Sequence, residues 1–128
     1  MSLTTSVLYD GSVAVIVLEG ELDLAVTAPL DQAVAAALTD GFLSLVLDVA
    51  LLTFCDSCGL GSIMRAHRTV AARGGRLTVA GAQGAFARLV EVTALDTVLT
   101  LVGDVSEALV SAQPRRAPAP GPSPETEA

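Results

Sequence analysis

Lysine and tryptophan do not occur anywhere in the 128 residues, and the aromatic side chains amount to one Tyr and three Phe. A core without aromatic bulk is built from Val, Leu, Ile and Ala, and with 52% apolar residues the chain has enough of them for one domain. That composition suits an α/β sheet buried on both faces. With no lysine, all seven basic residues are arginines, set against 14 acids for a formal net charge of −7. The segment from Gln113 onward balances two Arg against two Glu, so the whole excess of negative charge belongs to residues 1–112. Such a surface repels phosphate backbones and anionic lipid, so neither nucleic acid nor a membrane is an expected direct partner. A basic protein surface fits better.

Other absences exclude further classes. No apolar run approaches the roughly 20 residues that span a bilayer, and no basic segment followed by an apolar one opens the chain, so the expected localisation is cytoplasmic. Cys55 and Cys58 are too close in sequence to make a scaffold disulfide, which fits a reducing compartment. His67 is the only histidine, too few donors for a zinc site, and on the apolar side of a helix it reads as a half-buried packing residue. No internal repeat is visible. Proline is missing between Pro29 and Pro114 and then crowds residues 113–128, which read as a disordered tail after a single domain at 1–112. A Pro-rich ligand for an aromatic groove is the functional alternative for that tail.

What is present alternates. Val7 to Tyr9 and Val13 to Leu18, joined at Asp10-Gly11, predict a hairpin. Thr27 as N-cap, Pro29 in a first turn, and Leu30, Ala33, Val34, Ala37 and Leu38 at helical spacing predict a helix ending near Asp40-Gly41. Residues 44–49 form an apolar run that reads as a buried strand. Leu60, Ile63, Met64, His67, Val70 and Ala71 line one face of the helix that follows and stops near Arg73-Gly74-Gly75. A strand at Arg76 to Ala80, a helix from Gln83 to Thr93, a strand at Val98 to Val102, and a last helix capped by Asp104 or Ser106 complete the pattern. Strand–helix alternation implies an α/β sheet with right-handed crossovers, and the hairpin makes it mixed.

The stretch from Thr53 to Gly61, Thr-Phe-Cys-Asp-Ser-Cys-Gly-Leu-Gly, stands where a strand hands over to a helix. Backbone N–H groups are left without partners there, and positive charge accumulates, which Asp56 or Ser57 can cap and which also suits a phosphate. Taken alone, Ser57 is an ordinary capping serine; Asp56 is either a second capping acid or a group that holds the Ser57 hydroxyl toward an incoming phosphoryl. Gly59 and Gly61 lower helix propensity but keep the first turn bare for a close approach by another backbone. Glu21 and Asp23 are expected on an exposed loop. Arg65, Arg68 and Arg73 read as a solvated flank that can also meet acids on a partner.

Asp56-Ser57-Cys58-Gly59-Leu60-Gly61 resembles the Asp-Ser-(Ser/Thr)-Gly-Leu-Gly signature of bacterial anti-sigma-factor antagonists, single-domain proteins of STAS type. Gly20-Glu21-Leu22-Asp23, with Leu30 and Val34 after it, is similar to that family's Gly-Glu-Leu-Asp lead into its first helix. The likeness runs from Val7 to Ala112, and Cys58 departs from it by replacing a hydroxyl. The resemblance implies one small mixed sheet of about 4–5 strands with about 4 helices against it. It implies that Ser57 is phosphorylated, and that Asp23, Asp56, Ser57, Cys58 and Gly59 meet the partner. That partner would be an anti-sigma factor with serine kinase activity, bound only while Ser57 is unmodified, so that a sigma factor goes free; a PPM-type phosphatase would reset the cycle. The protein itself would be no enzyme and would hold no cofactor or metal, the ATP and Mg²⁺ belonging to the kinase.

Three other readings compete. A domain of this fold can serve as a scaffold or transport-regulating module without phosphorylation. Cys55-x-x-Cys58 at a helix start suggests thiol redox chemistry, because a helix N-terminus favours a thiolate, although the cis-proline and tryptophan of thioredoxin-like sites are missing. A stand-alone nucleotide binder lacks its Gly-x-x-x-x-Gly-Lys loop.

Overall fold

A computed structural model describes residues 3–23 and 27–112. The elements in order are β1 (Leu3–Asp10), β2 (Val13–Leu22), α1 (Ala28–Thr39), β3 (Ser44–Cys55), α2 (Ser57–Ala72), β4 (Arg76–Ala80), α3 (Gly84–Val92), a 3₁₀ turn (Leu95–Thr97), β5 (Thr100–Val102) and α4 (Val105–Ala112). The proline-rich stretch expected as a tail, 113–128, lies outside the described residues.

The five strands stand in the order β1-β2-β3-β4-β5, with β1 antiparallel to β2 and every other pair parallel. Because each crossover advances one strand in the same direction, crossovers of one hand place α1, α2 and α3 on the same face. Their apolar sides meet there in the main core, which includes Leu30 and Val34 from α1, Leu60, Ile63 and Val70 from α2, and Phe86 and Val90 from α3. They close over Ile16, Leu18, Leu45, Leu47 and Val79 of the sheet. Ala108 of α4 packs on the other face with Val13, Val15, Val46 and Ala80 in a smaller cluster. The sheet is thus buried on both faces at its centre, whereas Leu8 on β1, opposite Val15, stays exposed.

Several boundaries differ from the sequence expectation. Strand β3 continues to Cys55 rather than stopping at 49, because β2 also extends and pairs with it as far as Leu22 opposite Cys55. Two register shifts interrupt that extension, between Val17 and Glu19 and between Gly20 and Glu21. Gly20 takes a φ of 110° at the second shift, a conformation that strains any residue with a Cβ. The Thr53 hydroxyl then donates to the Gly20 carbonyl at 3.0 Å and ties the irregular segment down.

The expected strand from Val98 begins only at Thr100. The 3₁₀ turn takes up the chain before it, and Ala94 enters that turn at φ 60°, the left-handed region where glycine is usual after a helix. Thr27 stands at the N-cap of α1, but its side chain makes no capping hydrogen bond. Asp104 does cap α4, accepting from the Glu107 N–H at 2.8 Å.

Candidate functional site

The parallel pairing of β2 with β3 ends at Leu22 opposite Cys55, so both chains leave the sheet at one level, and Asp23 and Asp56 emerge side by side at the carboxyl ends of their strands. This is the end of an open α/β sheet where binding sites gather. Asp56 is extended, with φ −97° and ψ −175°, and its groups are committed to the fold. Its carboxylate accepts the Gly59 N–H at 2.8 Å, its carbonyl accepts the Leu60 N–H at 2.9 Å, and its own N–H donates to the Leu22 carbonyl at 3.4 Å. Of the two roles open to Asp56, the capping one is the one its geometry displays.

Because the aspartate takes the cap, Ser57 becomes the first residue inside α2 and its hydroxyl is not used for capping. Ser57 is exposed, and so is Cys58 beside it. Asp23 is half-buried and takes part in an interaction of its own. Gly59 is buried, and its reason for being glycine is internal: a Cβ there would overlap the Leu22 carbonyl oxygen that the Asp56 N–H also reaches. Gly61 is different, since a Cβ would meet nothing within 4 Å.

Glu21 departs from expectation. It lies within β2 opposite Phe54, half-buried, with Oε1 buried and unpartnered among the described residues, rather than on an exposed loop. His67 is half-buried as expected, and its Nδ1 is likewise unpartnered. Of the three arginines read as a flank, Arg65 is held by Asp31 of α1 at 3.3 Å, an exposed pair that contributes little to stability.

The two cysteines differ in kind. Cys55 is the last residue of β3, before the cap, and burial, followed by the neighbouring Asp56 carboxylate, pushes its thiol from 9.0 up to about 12. It stays protonated at neutral pH, the opposite of the thiolate that a redox pair at a helix start requires. Among the described residues no group of three or more His, Cys, Asp or Glu converges as a metal site.

Sequence reasoning missed the apolar surface beside this junction. Leu51 and Phe54, on the extension of β3, are 50% and 48% exposed, and Val92 at the end of α3 is 76% exposed. Cys55, Arg88, Leu89 and Val92 line an open groove of about 580 Å³ between that extension and α3. The signal was available in Leu51-Leu52-Thr53-Phe54, but a strand that ends at 49 leaves those residues without a face.

The family model described as Mlab, STAS domain matches residues 6–103, and the chain belongs to the STAS-domain family. The chain is similar to the crystal structure of an anti-sigma factor antagonist from Mycobacterium paratuberculosis, at 28% identity and a TM-score of 0.78 over 88% of this chain and 95% of that one. It shares its fold with the Bacillus cell fate determinant SpoIIAA in the phosphorylated form, at 19% identity and a TM-score of 0.65 over 88% and 100% of the two chains. The same fold occurs in the murine anion transporter Slc26a9, at 17% identity and a TM-score of 0.70 over 80% of this chain and 18% of that one. One small STAS domain, a mixed five-stranded sheet with four helices, is therefore the architecture here.

Proposed function

We propose that this chain is an anti-sigma factor antagonist whose binding is switched by phosphorylation of Ser57. Unmodified, it docks on an anti-sigma factor with serine kinase activity through Asp23, Asp56, Ser57, Cys58 and the first turn of α2, and a sigma factor is released. The partner, carrying ATP and Mg²⁺, phosphorylates Ser57 and the complex weakens; a PPM-type phosphatase restores it. All of this takes place in the cytoplasm, and the chain acts by binding rather than by catalysis.

The observation that carries the reading is the division of labour at the start of α2. Asp56 caps the helix, so the neighbouring hydroxyl is exposed and unspent. A phosphate there gains from the helix N-terminus only about 0.3–1 kcal/mol, too little to remodel a packed domain. At a docked surface the same group, carrying about −1.5 to −2 charges, costs several kcal/mol in desolvation and repulsion. The effect therefore falls on the complex.

Isothermal titration of the kinase partner with variants tests this. Ser57→Ala binds as the unmodified protein does and is never released by ATP, whereas Ser57→Asp binds about 100-fold more weakly, the equivalent of about 2.7 kcal/mol. If both bind alike, Ser57 is not the control point. The second reading, a STAS module that binds without phosphorylation, draws on the fold shared with Slc26a9; it requires Ser57 to remain unmodified on incubation with the partner and ATP.

A further inference from the structure

The outer edge of β1 pairs with no described element. All eight residues of β1 face β2 in unbroken register, from Leu3 opposite Gly20 to Asp10 opposite Val13, so its outward N–H and C=O groups recur at every second residue without interruption. Natural sheets guard such edges with lysine, proline, a bulge or a mid-strand charge. Leu3 to Tyr9 has none of these, and the one charge, Asp10, closes the strand. Leu8 and Tyr9 are 60% and 58% exposed.

We propose that β1 pairs antiparallel with β1 of a second copy of this chain, joining two five-stranded sheets across a twofold axis. The strand is complementary to itself. Outward groups belong to alternate residues, and an antiparallel ladder bonds outward residues to outward ones, so facing residue numbers have an even sum. A sum of about 12 to 14 centres the ladder on the strand; at the lower value Leu3 faces Tyr9, Thr4 faces Leu8, Thr5 faces Val7 and Ser6 faces itself. No like charges oppose one another in that arrangement. The Asp10 carboxylates lie at opposite ends of the ladder, whereas parallel pairing would set them side by side.

Closure follows from the other edge. Strand β5 has three residues and cannot match an eight-residue edge, so head-to-tail growth is disfavoured and the assembly stops at two. The contact is small, an edge ladder falling short of the roughly 1,200 Å² of a stable interface. Each copy also carries −7. The pair is accordingly reversible, with a Kd between about 10 μM and 1 mM, and it tightens as salt screens the repulsion.

Sedimentation equilibrium on the full chain from about 5 μM to 1 mM, in low and high salt, tests the pairing. The mass rises from 13.0 kDa toward twice that value with concentration, more so in high salt. The double variant Ser6→Lys, Leu8→Lys alters two exposed side chains and weakens association at least about tenfold, while Val110→Lys on α4, at 79% exposure, leaves it unchanged. Amide exchange on the unmodified chain reads the same edge without substitution: β1 amides gain protection as concentration rises. A mass that stays monomeric to 1 mM in high salt, a dimer weakened by salt, a dimer that survives the double substitution or is lost on Val110→Lys, or exchange protection that appears elsewhere and not on β1, overturns the proposal.

Discussion

At the scale of single residues, the junction is decided by which of two adjacent capping residues takes the cap. Asp56 and Ser57 are equally able in sequence; the ψ of −175° at Asp56 puts its carboxylate over the Gly59 N–H and frees the serine. Cys55 and Cys58 separate in the same way, one ending a strand half-buried and the other exposed in the helix. Alkylation with iodoacetamide at pH 8 followed by mass spectrometry is expected to modify Cys58 and leave Cys55 largely intact; equal labelling would contradict the raised thiol. A stability consequence accompanies it. Between pH 9.0 and about 12 an unfolded chain releases the Cys55 proton while the folded one retains it, so stability is full below pH 9 and declines as pH rises through that window. Denaturation of Cys55→Ala against the unmodified protein should show that slope reduced. The sequence revealed the Cys-x-x-Cys spacing but not the burial, which depends on α3 lying alongside.

Among the elements, α2 and β3 carry the candidate site, and the two glycines near the start of the helix have separate causes. Gly59 lets α2 sit against the end of β2, and Gly61 has open space around it. Gly59→Ala is expected to destabilise the fold by about 1–3 kcal/mol, because the helix must lift away from Leu22. Gly61→Ala should instead stabilise it by up to about 1 kcal/mol through helix propensity. Urea denaturation separates the two, and a loss of partner binding in the stable Gly61→Ala variant would mark that position as an approach surface. Helical spacing made the buried faces of α1, α2 and α3 legible, since Leu30, Val34, Ile63, Val70, Phe86 and Val90 all face inward. The length of β3 was not legible. Beyond Asp48, where β4 ends, its pairing continues with β2 alone, through Leu51, Leu52, Phe54 and Cys55, and that support comes from a segment 33 residues earlier in the chain.

For the molecule as a whole, the proposed switch is expected to act on association and leave the architecture in place. Phosphorylation of Ser57 takes the net charge from −7 to about −9. Its stabilisation of about 0.3–1 kcal/mol at the helix start moves the unfolding midpoint by no more than about 8 °C. Scanning calorimetry on both forms, beside titration of the partner, should find one cooperative transition in each and a large difference only in affinity. A phosphorylated form that unfolds in separate steps, or that binds unchanged, would sink this account. By itself the sequence determined the alternation of strands and helices, the apolar faces, the excess of acid and the strand-to-helix junction, because periodicity, charge and capping chemistry are local. Tertiary structure alone decided which of Asp56 and Ser57 caps α2, that the Leu22 carbonyl leaves no room for a Cβ at Gly59, that Cys55 is half-buried and that no described element pairs with the outer edge of β1. Each of these depends on segments far apart in the chain arriving at the same place, and no local pattern encodes that meeting.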